Sequence, residues 1–235
     1  MPETAVTPAV RDRLALVLDT DDLVDALRIA RDLEPWFGVA KVGLELFSAT
    51  GPDCVSALVE RGWKVFLDLK LHDIPTTVGR SARVLGAFGA SYLTFHAHGG
   101  VAMLRAGVEG LELGAEAAGV AAPSALAVTV LTSDDGAPPH ILGKRVAMAI
   151  EGGCAGIVCA AGDVAEAKQL APRLVAVVPG IRLAGTERHD QSRTATPGSA
   201  IAAGADLLVV GRTVTAAPDR AAAAAAVAEA VAATA

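Results

Sequence analysis

Aromatic residues are scarce in this sequence, at 3% of 235 residues, whereas hydrophobic residues as a group make up 52%. A core of large rings is therefore excluded, and we expect an interior of valine, leucine, isoleucine and alanine. Side chains of this kind suit parallel strands and the helices that cover them. A chain of this length buries roughly 70–75% of its unfolded surface, so its core can suffice without disulfides or metals.

The sequence also contains few cysteines, fewer positive than negative charges, and no long apolar run. The three cysteines, Cys54, Cys154 and Cys159, show no C-x-x-C spacing, which argues against a disulfide framework or a zinc site and predicts buried, reduced thiols. The net charge of −6 argues against a nucleic acid partner. Neither an uncharged apolar run of roughly 18 residues nor an apolar signal core is present, so we expect no membrane association and a cytoplasmic location.

What the sequence does contain is a regular alternation of short apolar runs and longer segments with helical features. Eight near-continuously apolar runs are typical of strands buried on both faces. They are Leu14–Asp19, Gly38–Gly43, Val65–Lys70, Tyr92–Ala97, Ala125–Leu131, Gly156–Ala161, Leu174–Gly180 and Asp206–Gly211. Eight alternations favour an α/β fold with a parallel sheet, closed into a single-domain (β/α)8 TIM barrel over residues 1–235. An open doubly wound sheet is the alternative, although no G-x-G-x-x-G follows the first run.

The segments between these runs predict the helices. Thr20–Asp22 can cap a helix that continues through Leu23. Glycines before several strands, at Gly62, Gly89 and Gly204, can end a helix in the left-handed conformation. Further helices are predicted over Thr50–Val59, Thr76–Phe88, Gly100–Ala117, Pro138–Glu151, Val164–Leu170, Ala195–Ala203 and Pro218–Ala233.

Charged residues stand at the carboxyl ends of the predicted strands, where barrels of this kind carry their active sites. Asp19 ends the first strand, Lys41 the second, and Asp68 and Lys70 the third, with Asp73 shortly after. Because Asp68 and Lys70 are two residues apart, both point to the same face of their strand. Buried charges are paired, so an alternating chain of charges is expected. For this pattern alone, a structural salt-bridge network at the barrel rim is the alternative.

Arg212 follows the last strand and is the best candidate for binding a phosphate group. The loops after strands 7 and 8 are the usual phosphate position in these barrels, and a guanidinium group matches phosphate geometry. Gly211 lets the backbone approach the anion closely. An arginine in an ordinary surface turn is the alternative.

The string FLDLKLHDIPTTV (Phe66–Val78) resembles the signature of the orotidine monophosphate decarboxylase family, Asp-x-Lys-x-x-Asp-Ile-Pro-x-Thr, with no departure. The resemblance continues from about Leu14 to Pro218. It implies a TIM barrel that converts orotidine 5′-monophosphate (OMP) to UMP and CO2 in the last step of de novo UMP biosynthesis, as a homodimer and with no cofactor or metal. The other segments that resemble the family are Ala40–Phe47, Val128–Ser133, Val178–Arg182, Asp190–Arg193, Thr196–Pro197 and Val209–Thr215.

The resemblance implies catalytic roles for four charged residues. Lys70 would stabilise the carbanion left at C6 of the pyrimidine and then protonate it. Asp68 would lie against the substrate carboxylate, and Lys41 would orient Asp68 and contact the ribose. Asp73 would reach into the site of the neighbouring subunit.

The resemblance also implies the residues that bind the substrate. Thr77 would bind the ribose from across the subunit interface, and Asp19 would accept a hydrogen bond from a ribose hydroxyl. Gln191 would reach the phosphate from a lid-like segment that begins at Arg182, and Thr132 and Ser133 would face the pyrimidine. The full set is Asp19, Lys41, Asp68, Ile74, Thr77, Thr132, Ser133, Pro179, Arg182, Gln191, Gly211 and Arg212.

Two other functions are compatible with such a barrel. A magnesium-dependent phosphosugar decarboxylase or aldolase shares the Asp-x-Lys-x-x-Asp pattern, although the Ile74-Pro75-Thr76-Thr77 continuation favours the nucleotide enzyme. A non-catalytic nucleotide-binding barrel would have lost the charges of strand 3, which are intact here. His96 and His98 end strand 4 and could suggest a metal, but we favour satisfied histidines at the barrel rim because no second set with ligand spacing occurs.

Overall fold

The computed structural model describes residues 6–131, 138, 140–183 and 193–234. Eight parallel strands form a closed barrel in the order β1 to β8, so each strand pairs with its neighbours in sequence and β8 pairs with β1. The predicted (β/α)8 fold is therefore confirmed. The strands are β1 Leu14–Leu18, β2 Val39–Val42, β3 Lys64–Leu71, β4 Tyr92–His96, β5 Ser124–Val128, β6 Gly156–Val158, β7 Val175–Val178 and β8 Leu207–Val210.

Helices precede the first strand, connect successive strands and follow the last strand. They are α1 Pro8–Arg11, α2 Leu23–Leu33, α3 Leu44–Thr50, α4 Asp53–Val59, α5 Pro75–Gly86, α6 Val101–Ala118, α7 Ile141–Glu151, α8 Val164–Leu170, α9 Pro197–Ala202, α10 Arg212–Thr215 and α11 Arg220–Ala232. Two 3-10 turns, Ala97–Gly99 and Ala161–Asp163, follow β4 and β6.

Four helices depart from the expectation. The helix predicted over Thr50–Val59 begins only at Asp53, because Gly51 at φ 60° and Pro52 separate it from α3. Helices α1, α3 and α10 were not predicted. Thr7 caps α1, which has Pro8 in its first turn, and glycines precede the other two, Gly43 before α3 and Gly211 before α10. Helices of four to seven residues depend on tertiary packing, and they are too short to show a clear period in the sequence.

Other local expectations agree with the structure. The Asp22 carboxylate caps α2 by accepting a hydrogen bond from the backbone N–H of Asp25 at 2.8 Å. Gly62, Gly89 and Gly204 all have positive φ. The three cysteines are free and buried, and burial raises the pKa of Cys154 and of Cys159 to about 12. Within the described ranges, no helix is long and apolar enough to cross a membrane.

The strands separate two apolar layers. Side chains such as Leu14, Leu16 and Leu18 point outward to the core beneath the helices. The alternate residues point into the barrel, where a smaller cluster includes Ala15 and Val17. Strands β1, β2 and β8 are buried along their whole length, as expected for strands covered on both faces.

Helices α5 and α6 approach each other closely through glycines. A Cβ atom placed on Gly114 would lie 1.9 Å from the carbonyl oxygen of Arg83, and one on Gly110 would lie 2.3 Å from that of Gly79. A larger side chain at either position would force the helices apart. This contact holds α5, and with it the end of β3, against the barrel.

Candidate active site

On β1, β2 and β3, inward-facing residues change from apolar to charged as the strand approaches its carboxyl end. Val17 is followed two residues later by Asp19, Val39 by Lys41, and Phe66 by Asp68. On β7 and β8, the residues two positions after Val177 and Val209 are Pro179 and Gly211, which are uncharged but also line the site. Because side chains two apart share a face, the barrel acquires an apolar floor with charged residues directly above it on the side of β1, β2 and β3.

A cavity of about 550 Å³ opens above this floor. Its volume lies within the range of roughly 300–1,000 Å³ that is usual for small-molecule sites. Phe66, Val128, Val158 and Val209 supply apolar walls. The predicted site residues that line this cavity are Asp19, Lys41, Asp68, Lys70, Pro179, Arg182, Gly211 and Arg212.

Four of these residues form an alternating array of charges. The Lys41 ammonium lies 3.5 Å from Asp19 Oδ1 and 3.6 Å from Asp68 Oδ2. The Lys70 ammonium donates to both oxygens of Asp68 at 2.9 Å. Lys41 and Asp68 are largely buried, with side chains 10% and 13% exposed, whereas Lys70 is 31% exposed. Each of these two buried charges therefore has a partner, and Lys70, which is more exposed than either, also lines the cavity.

The Asp68 carboxylate is held in its ionised form. Burial acts most strongly and would raise its pKa, but the charges of Lys41 and Lys70 together with hydrogen bonds from Lys70 and Thr94 outweigh it. The net result is a pKa below the ordinary value of 3.8. A carboxylate at this position stays negative at neutral pH and can act on a neighbouring anion.

Lys70 has an irregular backbone. Its φ of 52° lies in the left-handed region, which side chains other than glycine rarely adopt. Leu67 of β3 pairs with Leu93 of β4, and the next registered pair is Leu71 with Phe95. Between these two pairs the chain advances four residues along β3 but only two along β4. The extra residues form a bulge, and bulges re-aim side chains next to active sites.

Basic residues mark the opposite side of the cavity, after β7 and β8. Arg182 is buried and donates to the carbonyl oxygen of Ile181 at 2.8 Å. Arg212 begins α10 at the cavity edge and is exposed. A Cβ on Gly211 would meet Val17 at 3.4 Å, so the chain here already packs tightly against β1.

Other predicted residues do not join the cavity of this chain. Asp73, Ile74 and Thr77 follow β3 as an exposed segment outside the lining. The Asp73 carboxylate accepts a hydrogen bond from the backbone N–H of Ile74 at 2.6 Å. Thr132, Ser133 and Gln191 fall outside the described residues, as does most of the predicted lid.

Three histidines meet beside the bulge. The ring centroid of His72 lies 5.7 Å from those of both His96 and His98. Burial, followed by the positive charge of neighbouring groups that include His72, Lys70 and Arg145, lowers the pKa of His96. A neutral His96 at physiological pH is compatible with the expected satisfied rim histidine.

Comparison with known sequences decides the family. Residues 12–227 match the profile described as "Orotidine 5'-phosphate decarboxylase / HUMPS family". The chain belongs to this family. The resemblance drawn from Phe66–Val78 is thereby confirmed.

Individual members of the orotidine 5'-phosphate decarboxylase / HUMPS family match over nearly their full length. The orotidine 5'-phosphate decarboxylase of Anaeromyxobacter sp. (strain K) is 46% identical over 228 residues, which cover 92% of this chain and 97% of the relative. That of Moorella thermoacetica is 41% identical, with coverage of 93% and 91%. The crystal structure of orotidine 5'-phosphate decarboxylase from Lactobacillus acidophilus superimposes with a TM-score of 0.79 at 33% identity, covering 94% of this chain and 99% of that one.

Some side chains at this family site were not predicted from the sequence. Val17, Phe66 and Val209 line the cavity, and each stands two residues before a predicted site residue, so strand alternation alone could have indicated them. Thr94 on β4 is fully buried and bonds to both Asp68 and Lys70. No motif marks it, because its partners are 24 and 26 residues away in sequence.

Proposed function

We propose that this protein decarboxylates OMP to UMP and CO2. The observation that carries the proposal is the alternating array of Asp19, Lys41, Asp68 and Lys70 at the mouth of the cavity. It places a carboxylate that stays ionised and an ammonium group side by side over an apolar floor. The family membership and the names of the relatives support the same activity.

In the proposed reaction the substrate carboxylate lies against Asp68, which is kept ionised by its two lysine partners. Repulsion between the carboxylates is relieved as CO2 leaves. The bond between C6 and the carboxylate carbon breaks, and its electron pair stays on C6. The Lys70 ammonium stabilises this carbanion and donates a proton from Nζ to C6; solvent then restores the proton to Lys70.

The basic side of the cavity would hold the 5′-phosphate. Arg212 would bind the phosphate at the cavity edge, where Gly211 leaves room for the backbone to approach, and Arg182 and Pro179 would line the path to the pyrimidine. Asp19 and Lys41 would contact the ribose hydroxyls between these two ends. Enzymes lower barriers by roughly 8–23 kcal/mol, and a single ammonium group contributes only part of this. Binding energy from the phosphate would supply another part by holding the substrate in place against the reacting charges.

The exposed segment after β3 suggests that the site is completed by a second copy of the chain. Ile74 exposes 66% of its surface and Leu44, at the start of α3, exposes 59%. Large apolar side chains exposed beside a polar site are typical of a contact surface. A homodimer in which Asp73, Ile74 and Thr77 enter the partner's cavity accounts for their distance from the cavity of their own chain. Thr132 and Ser133 would face the pyrimidine and Gln191 the phosphate, as the sequence predicts.

A single domain over residues 1–235 and a cytoplasmic location are part of the proposal. The first is supported by one barrel that uses strands from both ends of the described chain. The second is supported by cysteines that are sparse and free, as is usual in reducing compartments.

The test is an absorbance assay on the purified protein with OMP, run with and without excess EDTA. We expect rapid loss of the orotate chromophore with formation of UMP, and no effect of EDTA. Turnover that EDTA abolishes and magnesium restores would instead support the phosphosugar enzyme. Absence of any turnover of OMP would refute the proposal.

A further inference from the structure

Thr94 lies directly opposite the bulge that carries Asp68 and Lys70. The registered pairs on either side of the bulge are Leu67↔Leu93 and Leu71↔Phe95, so Thr94 is the β4 residue between them. Its side chain points into the barrel, in the same alternation as Tyr92 below it, and it is fully buried. It is not among the described residues that line the cavity.

The Thr94 hydroxyl makes two hydrogen bonds whose directions are fixed by chemistry. The backbone N–H of Lys70 donates to Thr94 Oγ1 at 2.9 Å. A hydroxyl group has one hydrogen to donate, and Thr94 directs it to Asp68 Oδ1 at 3.0 Å. The side chain therefore replaces the backbone partner that the bulge removes, and it also fixes one oxygen of the carboxylate.

We propose that Thr94 is a positioning residue for the decarboxylation. Through one hydroxyl group it sets both the left-handed backbone of Lys70 and the orientation of the Asp68 carboxylate. The two reacting charges are thus held relative to each other by a residue that does not contact the substrate. This inference rests on the proposed OMP decarboxylase activity.

Two substitutions isolate the hydroxyl group. Thr94→Val keeps the shape of the side chain but removes both hydrogen bonds, so we expect kcat to fall about 10- to 100-fold, because small misplacements of catalytic groups have effects of this size. KM should change by less than about threefold, since the ribose and phosphate contacts remain. Thr94→Ser restores the hydroxyl and should recover kcat to within about threefold of the wild type.

A matched control comes from Thr129, which is also buried and follows β5. Its hydroxyl donates only to the carbonyl oxygen of Val158, at 3.0 Å. Thr129→Val removes a comparable hydrogen bond at the same end of the barrel without touching Asp68 or Lys70. We expect it to lower the thermal unfolding temperature as Thr94→Val does, but to leave kcat nearly unchanged.

The decisive comparison combines steady-state kinetics with crystal structures of wild type and Thr94→Val. We expect the Asp68 carboxylate of the variant to rotate away from its 2.9 Å contact with Lys70 Nζ. The proposal is overturned if Thr94→Val keeps full kcat, if Thr129→Val loses as much kcat, or if Asp68 and Lys70 superimpose on the wild type. If the wild-type chain did not turn over OMP, the proposed function would fall, whereas the crystal structures would still decide whether Thr94 positions the pair.

Discussion

Lys70 has a proposed chemical role and also adopts an unfavourable backbone conformation. Its φ of 52° is the single positive value among the non-glycine residues that the structure describes. For an L-residue with a Cβ, the left-handed region is disfavoured by roughly 1–2 kcal/mol. The bulge, the ion pair with Asp68 and the hydrogen bond to Thr94 together hold Lys70 in this conformation.

Two substitutions of Lys70 should therefore separate its chemistry from its backbone. Lys70→Ala and Lys70→Gly both remove the ammonium group, and we expect each to lower kcat by at least about 100-fold. Glycine adopts positive φ freely, so Lys70→Gly should be more stable than Lys70→Ala by about 1 kcal/mol in urea unfolding. An alanine variant as stable as the glycine variant would show that the backbone of Lys70 is unstrained.

Site residues could be predicted from the sequence where the pattern that marks them lies within a few neighbouring residues. Asp68, Lys70 and Asp73 stand in one short string, and Asp19 and Lys41 end apolar runs, so the sequence indicated them directly. No sequence pattern marks Thr94, because its role depends on hydrogen bonds to the bulge in the neighbouring strand β3. Alternation along β4 predicts that Thr94 points inward, but not which atoms it meets.

At the level of secondary structure, the strands were predicted well at their starts and less well at their ends. The runs Ala125–Leu131 and Leu174–Gly180 extend beyond β5 and β7, which end at Val128 and Val178. The additional residues Val130, Leu131 and Pro179 line the cavity. They are apolar because they contact the site, and the sequence alone does not distinguish that reason from strand burial.

The contact between α5 and α6 leads to a prediction about stability. Gly114→Ala would place a Cβ atom 1.9 Å from the carbonyl oxygen of Arg83, so we expect a net loss of about 1–3 kcal/mol despite the better helix propensity of alanine. Urea unfolding of the wild type and the variant measures this difference.

Gly143→Ala in α7 is the matched control for this substitution. The nearest atom to its new Cβ, Leu170 Cδ1, is 3.6 Å away. We expect no loss of stability there, and a gain of up to about 1 kcal/mol from helix propensity. Equal destabilisation by both variants would contradict the idea that α5 and α6 need glycine at their contact.

At the scale of the whole molecule, the proposed shared site predicts complementation between inactive variants. If Asp73 acts in the partner's cavity, a heterodimer of Lys70→Ala and Asp73→Ala contains one site with both changes and one intact site. Random assortment after co-refolding should then restore about one quarter of the wild-type sites. The measurement is OMP turnover of the mixture compared with each variant alone, with light scattering to establish the dimer.

A second mixture serves as the control for complementation. Lys70 and Asp68 belong to the same chain and contact each other, so a heterodimer of Lys70→Ala and Asp68→Ala has no intact site. We expect no recovery there. Recovery in neither mixture would place Asp73 in the site of its own chain, or would show that the protein does not pair.

The separation of the apolar floor from the residues that line the cavity two positions further along the strand has a consequence for protein engineering. Residues that hold the barrel closed, such as Val39 and Val177, are distinct from those that meet a ligand, such as Lys41 and Pro179. A library randomised only at the rim should retain a large fraction of folded members, and one randomised at the floor should not. New specificities are therefore best sought in the upper layer, where the scaffold tolerates change.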